Sequence, residues 1–198
     1  MPSSTHEESG IAFDFKEEVD KALHDYPQLR ANTIFFTTAG DNPQPLGRWD
    51  ARLRFSFSLA AKRHAKDILE KSREQKISFA CGYRSGLRVI IFNTQDTFLK
   101  AHAEHHKKIW NAFAFDHEEG HVLVPNALKK SEDYPFSECA ADAFATLRSL
   151  QRFGADDNAH FLNSSRRTIE FIQKGISTHL TTPVLDRIIL DSKGGAFA

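Results

Sequence analysis

The sequence predicts an α+β domain, with a small sheet in the amino-terminal half and a mainly helical carboxy-terminal half. Strand-like runs come first along the chain, and helix-forming patterns dominate from Thr97 onward. The length of 198 residues fits one domain more comfortably than two. We therefore expect a single domain over residues 1–198, in which a few strands pack on a helical body.

The amino-terminal elements begin after a polar segment. Residues 1–10 are polar, and we expect them to be disordered. Apolar residues then recur at near-helical spacing between Phe13 and Leu23, behind Asp14 as a possible cap. This pattern predicts a first helix that ends near His24.

Three strand-like runs and one helix-like run follow. The β-branched and aromatic run Thr33–Thr38 predicts a strand, and residues 58–75 carry helix formers with a charged face. Two further strand-like runs, Ile77–Tyr83 and Leu87–Asn93, are separated by a short loop that contains Gly86. The last two runs are expected to form a hairpin.

The carboxy-terminal half carries helix start and stop signals. Ser137 and Pro183 are plausible helix starts, and Gly154 and Gly175 are plausible helix stops. The interpretation is a series of helices from Thr97 to the end of the chain.

Composition excludes several classes of function. Lys plus Arg and Asp plus Glu are both 26, so no net charge attracts nucleic acid. We expect no membrane span, because no run approaches about 18 apolar residues, and no Sec-type signal at the amino terminus. Two cysteines fit a reducing compartment. The expectation is a soluble protein, cytoplasmic or secreted by a non-Sec route.

The segment His117-Glu118-Glu119-Gly120-His121 is an HExxH motif within a predicted helix. Residues i and i+4 lie on one helix face about 5–6 Å apart at Cβ, so both imidazoles can bind one tetrahedral zinc ion. Glu118 then points to the open side of the metal, where it can act as a general base. About 0.03 chance matches are expected in a chain of this composition.

A catalytic zinc takes three protein ligands and keeps one position for water, so a third donor is needed. Glu138 and Asp142 share a face at i and i+4 on the next predicted helix. Glu138 is the predicted third ligand, and Asp142 is predicted to accept the free N–H of a ligating histidine.

HEEGH followed by ECAAD resembles the gluzincin metallopeptidases, whose zinc ligands are two histidines of HExxH and a glutamate of a downstream ExxxD. Ala141-Asp142 looks most like the branch of CAAX prenyl proteases and heat-shock membrane proteases, although its transmembrane helices have no counterpart here. The resemblance covers residues 114–145 and, more loosely, 177–188. It implies a zincin-like fold and hydrolysis of peptide bonds in a peptide or protein substrate.

The resemblance implies two further features. His179 or Arg187, in a carboxy-terminal segment similar to that branch, would stabilise the oxyanion of the tetrahedral intermediate. A strand beside the zinc helix would bind extended substrate by backbone pairing, and residues 88–93 are the best candidate.

Two other hypotheses are compatible with the sequence. The chain can be a catalytically silent zincin-fold scaffold for regulation or protein binding. It can also be a helical protein without metal, in which Glu138 and Asp142 are surface charges. Measurements of zinc content and of peptide cleavage distinguish these two hypotheses from a zinc metallopeptidase.

Overall fold

The computed structural model is mainly helical with one three-stranded sheet, in agreement with the predicted α+β class. It describes residues 14–38, 67, 69–76, 78–82, 86–93, 104–123, 134–154, 167–169, 172–173, 175 and 180–195. The predictions for residues 1–10 and for His179 lie outside these ranges. Among the helices described, none is long and apolar enough to cross a membrane.

Helix α1 (Phe15–Asp25) confirms the first predicted helix and its cap. The side chain of Asp14 accepts hydrogen bonds from the backbone N–H groups of Lys16 and Glu17. A polar side chain at this position satisfies donors that the first helical turn leaves without partners. A short 3₁₀ helix, Pro27–Ala31, connects α1 to the sheet.

The sheet contains β1 (Thr33–Thr37), β2 (Phe79–Gly82) and β3 (Arg88–Phe92), in the order β1-β3-β2. Strands β2 and β3 pair antiparallel, which confirms the predicted hairpin. Strands β1 and β3 pair in parallel, with Thr33 opposite Arg88. A parallel pair requires a crossover connection, and helical residues 69–75 lie within that connection.

The sheet order corrects the choice of residues 88–93 as the strand that binds substrate. Strand β3 pairs with β1 on one side and with β2 on the other. Its backbone donors and acceptors therefore already lie in ladder positions, and it has no edge for a peptide. The edge strands of the described sheet are β1 and β2.

Both faces of the sheet are covered, which explains why residues 89–92 of β3 are an unbroken apolar run. One face, including Phe35 and Phe92, packs with α1 and with Phe115 of the helix that carries HExxH. The ring of Phe115 stacks on Phe92 at 4.7 Å between centroids. The other face, including Val89 and Ile91, packs against helical residue Leu69. The HExxH helix is therefore anchored directly on the sheet.

Three helices form most of the described carboxy-terminal half: α2 (Glu104–Leu123), α3 (Tyr134–Phe153) and α4 (Thr182–Lys193). Pro183 lies in the first turn of α4, and Gly154 follows α3 with φ +81°, as predicted. The prediction of a helix start at Ser137 is wrong, because α3 begins one turn earlier. The hydroxyl of Ser137 contacts α2 instead.

Helices α2 and α3 pack in opposite directions at very short range. His121 contacts Ser137, whereas His117, earlier in α2, contacts Asp142, later in α3. A Cβ atom built on Gly120 would lie 2.8 Å from Cα of Ala141. The absence of a side chain at Gly120 thus permits the helix spacing that brings HExxH and ExxxD together.

We expect Gly120→Ala to destabilise the protein by about 1–3 kcal/mol, because the new methyl group overlaps backbone atoms that cannot rotate away. Helix propensity alone predicts the opposite sign, a gain of about 1 kcal/mol. Denaturant unfolding of the variant distinguishes the two. A more stable variant would contradict the close approach of α2 and α3.

Candidate metal site

Helix α2 places His117 and His121 one turn apart on the face that packs against α3. Their Nε2 atoms lie 3.1 Å apart, and the two rings meet edge to face. Both side chains are largely buried, at 13% and 8% exposure. The helical position predicted for HExxH is confirmed, and its two imidazoles converge on one point.

Helix α3 contributes Glu138 to the same point. Its Oε1 lies 3.3 Å from Nε2 of His121, and its Oε2 lies 3.6 Å from Nε2 of His117. Two nitrogens and a carboxylate therefore surround a small volume between the two helices. This group of three side chains can hold a metal ion.

The other ring nitrogen of each imidazole lies close to a polar side chain of α3. Nδ1 of His117 lies 2.8 Å from Oδ1 of Asp142, the residue predicted to orient a histidine. Nδ1 of His121 lies 2.7 Å from the buried hydroxyl of Ser137, a contact that the sequence did not suggest. When both Nδ1 atoms carry the proton, both Nε2 atoms present lone pairs to the centre of the group.

Lone pairs that converge in this way favour a positive charge between the three side chains. Burial alone would lower the pKa of His121, but the carboxylates of Glu138 and Glu118 raise it above the ordinary value. Burial would raise the pKa of Glu138, but the neighbouring His121, His117 and Arg167 lower it to about 2. Glu138 is therefore ionised at neutral pH, and a cation beside it is favoured.

The carboxyl of Asp142 is also ionised. Burial would raise its pKa, but His117 and Arg167 hold the pKa of Asp142 well below the ordinary value. Burial lowers the pKa of His117, which keeps that imidazole neutral and able to bind a metal. Glu138 and Asp142 thus carry two negative charges, of which the guanidinium of Arg167 offsets one.

Glu118 lies in α2 between the two histidines of the motif. The residue is 8% exposed, and its charge raises the pKa of His121. A general base for a metal-activated water would lie beside the three metal-binding side chains without being one of them, which is the position of Glu118.

Two residues that the sequence analysis did not select reach this site from the carboxy-terminal part of the chain. Arg167, which is 2% exposed, donates hydrogen bonds to both Glu138 and Asp142. Thr181 precedes α4, and its hydroxyl donates to Oδ2 of Asp142. Two carboxylates buried side by side require a cation beside them. The sequence contains several arginines that could supply it and does not indicate which one does.

Of the two residues predicted to stabilise an oxyanion, Arg187 is among the described residues, and it is not brought to the group. The side chain of Arg187, in α4, is 76% exposed, and its Nε donates to Asp191 at 2.9 Å. His179 lies outside the described residues, so its role stays a prediction.

The opposite face of α2 carries a second set of buried ionisable groups. Glu119 is completely buried, and its carboxyl oxygens have no hydrogen-bond partner among the described residues. Burial and the nearby Asp116 raise the pKa of Glu119 to about 8. Arg152 bridges Asp116 at 3.0 Å and Glu18 of α1 at 2.7 Å. Glu119 is therefore mostly uncharged at neutral pH, although a glutamate is ordinarily ionised at this pH.

We expect Glu119→Gln to flatten the pH dependence of stability. Because the pKa of Glu119 is about 8 in the folded state against 4.5 ordinarily, folded protein binds more protons between these values and loses stability as pH rises through them. The amide removes this loss, so the variant should gain roughly 1–3 kcal/mol over wild type at pH 8.5 and little at pH 4. Denaturant unfolding at both pH values measures it. A constant difference between the two proteins would contradict the burial of an ionisable group here.

No family model, curated protein or solved structure matches this chain. Any functional conclusion therefore depends on the geometry of this site and on the motif.

Proposed function

We propose that the protein is a zinc-dependent metallopeptidase of the gluzincin type. The observation that carries the proposal is the convergence of His117, His121 and Glu138: the two Nε2 atoms lie 3.1 Å apart, and Oε1 of Glu138 lies 3.3 Å from Nε2 of His121. Tetrahedral zinc with ligands at about 2.05 Å separates neighbouring donor atoms by about 3.3 Å. Two imidazoles with one carboxylate are also a donor set that catalytic zinc favours.

The resident metal would be held by His117, His121 and Glu138, with Asp142 and Ser137 orienting the two rings. Zinc, when bound, supplies a Lewis acid that polarises the scissile carbonyl and makes a water molecule more acidic. Glu118 accepts a proton from the attacking water and then donates it to the nitrogen of the leaving amine. Glu118 is 8% exposed, which limits its contact with bulk water.

Peptide bonds are the proposed substrate, on the strength of the resemblance to gluzincins. Extended peptide would pair with an edge strand, and β2 is the better candidate because it packs against α2, the helix that carries His117 and His121. This assignment replaces β3, whose two edges are occupied.

The proposal is tested by incubating zinc-loaded protein with a broad peptide library and identifying new amino termini by mass spectrometry. Cleavage that a chelator abolishes and added zinc restores is the expected result. One zinc per chain without any cleavage would favour the silent scaffold. Protein that binds no zinc when purified without a tag or a chelator would overturn the metal site itself.

A further inference from the structure

Arg167 is the one described arginine that contacts the candidate metal site, and it comes from outside both site helices. It lies in the helical stretch 167–169 and is 2% exposed. Its Nε and Nη2 each donate to a different oxygen of Asp142 at 2.8 Å, and Nη2 also donates to Oε2 of Glu138 at 3.1 Å. The planar guanidinium thus fixes two carboxylates relative to each other.

The two oxygens of Glu138 therefore have different surroundings. Oε2 accepts a hydrogen bond from Arg167, whereas Oε1 is the oxygen nearer to a ligand nitrogen, at 3.3 Å from Nε2 of His121. A carboxylate can bind a metal through one oxygen or through both. Binding through both would use the position that a catalytic site keeps for water.

We propose that Arg167 is a positioning residue that holds Oε2 of Glu138, so that Glu138 binds the metal through Oε1 alone and one coordination position stays open. The inference rests on the proposed metal site. It assigns Arg167 a role that differs from general stabilisation of the fold, because it changes the number of donors around the metal.

Cobalt substitution tests the role, since the visible spectrum of Co²⁺ depends on coordination geometry. Full-length wild type, Arg167→Met and Arg167→Lys are freed of metal and titrated with Co²⁺ alone. We expect Arg167→Met to lose at least about half of the visible absorption intensity as Glu138 becomes a two-oxygen ligand. Arg167→Lys should restore part of it, because an ammonium group can still donate to Oε2.

Arg152→Met is the matched control. Arg152 also bridges two carboxylates, Glu18 and Asp116, but on the opposite face of α2. It should lower stability without altering the cobalt spectrum. An equal spectral change in Arg152→Met and Arg167→Met would overturn the positioning role, because general loosening would then explain both.

The remaining outcomes separate this inference from the proposed function. Wild-type protein that binds Co²⁺, with an unchanged spectrum in Arg167→Met, would overturn the role of Arg167 and leave the metal site intact. Wild-type protein that binds no Co²⁺ would overturn both. If Arg167→Met does not fold, Arg167→Lys decides. A cobalt spectrum identical to that of wild type would overturn the role if the crystal structure of this variant shows no hydrogen bond to Oε2 of Glu138.

Discussion

Glu118→Gln is expected to keep its metal and to lose hydrolysis, with kcat reduced about 10²- to 10⁴-fold, the range that a general acid–base group contributes. The amide keeps the size of the side chain but cannot accept the proton of the attacking water. The three metal-binding side chains, His117, His121 and Glu138, are unchanged. Metal content by mass spectrometry and kcat on a cleaved peptide measure the two properties separately.

Glu119→Gln is the matched control, since it makes the same chemical change at the neighbouring position. Glu119 lies on the opposite face of α2 and makes no hydrogen bond with the three metal-binding side chains among the described residues. Its kcat should stay close to that of wild type. Full activity in Glu118→Gln would exclude Glu118 as the base, and equal losses in both variants would indicate a general disturbance of α2.

His121→Ala and Glu138→Ala are each expected to weaken metal binding by more than about 100-fold, beyond the range for residues that only orient a ligand. Each removes one of three donor atoms, and the two remaining groups cannot enclose the ion. Wild-type protein should contain one metal per chain and both variants none. Addition of zinc should raise the unfolding temperature of wild type only, because a ligand stabilises the state that binds it.

His24→Ala controls for the loss of a histidine, since the side chain of His24 is 85% exposed in α1. It should retain full metal content. Metal lost in His121→Ala but retained in Glu138→Ala would place the third ligand elsewhere. Metal retained in all variants would exclude this group of side chains.

Several features of the fold could be predicted because they depend on neighbours along the chain. The Asp14 cap, the hairpin and the end of α3 before Gly154 are decided by residues a few positions apart. The prediction that α3 starts at Ser137 is wrong, because a serine hydroxyl can either cap a helix or contact a histidine, as it does here with His121.

The order of the strands in the sheet was harder to predict from the sequence. Strand β3 is apolar at nearly every position, which identifies it as buried on both faces only after its neighbours are known. The prediction of residues 88–93 as the strand that binds substrate is therefore wrong, because β1 and β2 occupy both edges of β3.

The sequence by itself determined that His117 and His121 share a helix face and that Glu138 and Asp142 share another, because helical periodicity is a local property. Only the tertiary structure decided that Asp142 supports His117 while Ser137 supports His121, and that Arg167, not Arg187, lies beside the carboxylates. These choices depend on the direction and spacing of α2 and α3 and on a segment about 25 residues further along the chain. Such contacts between distant residues follow from packing, which no local pattern encodes.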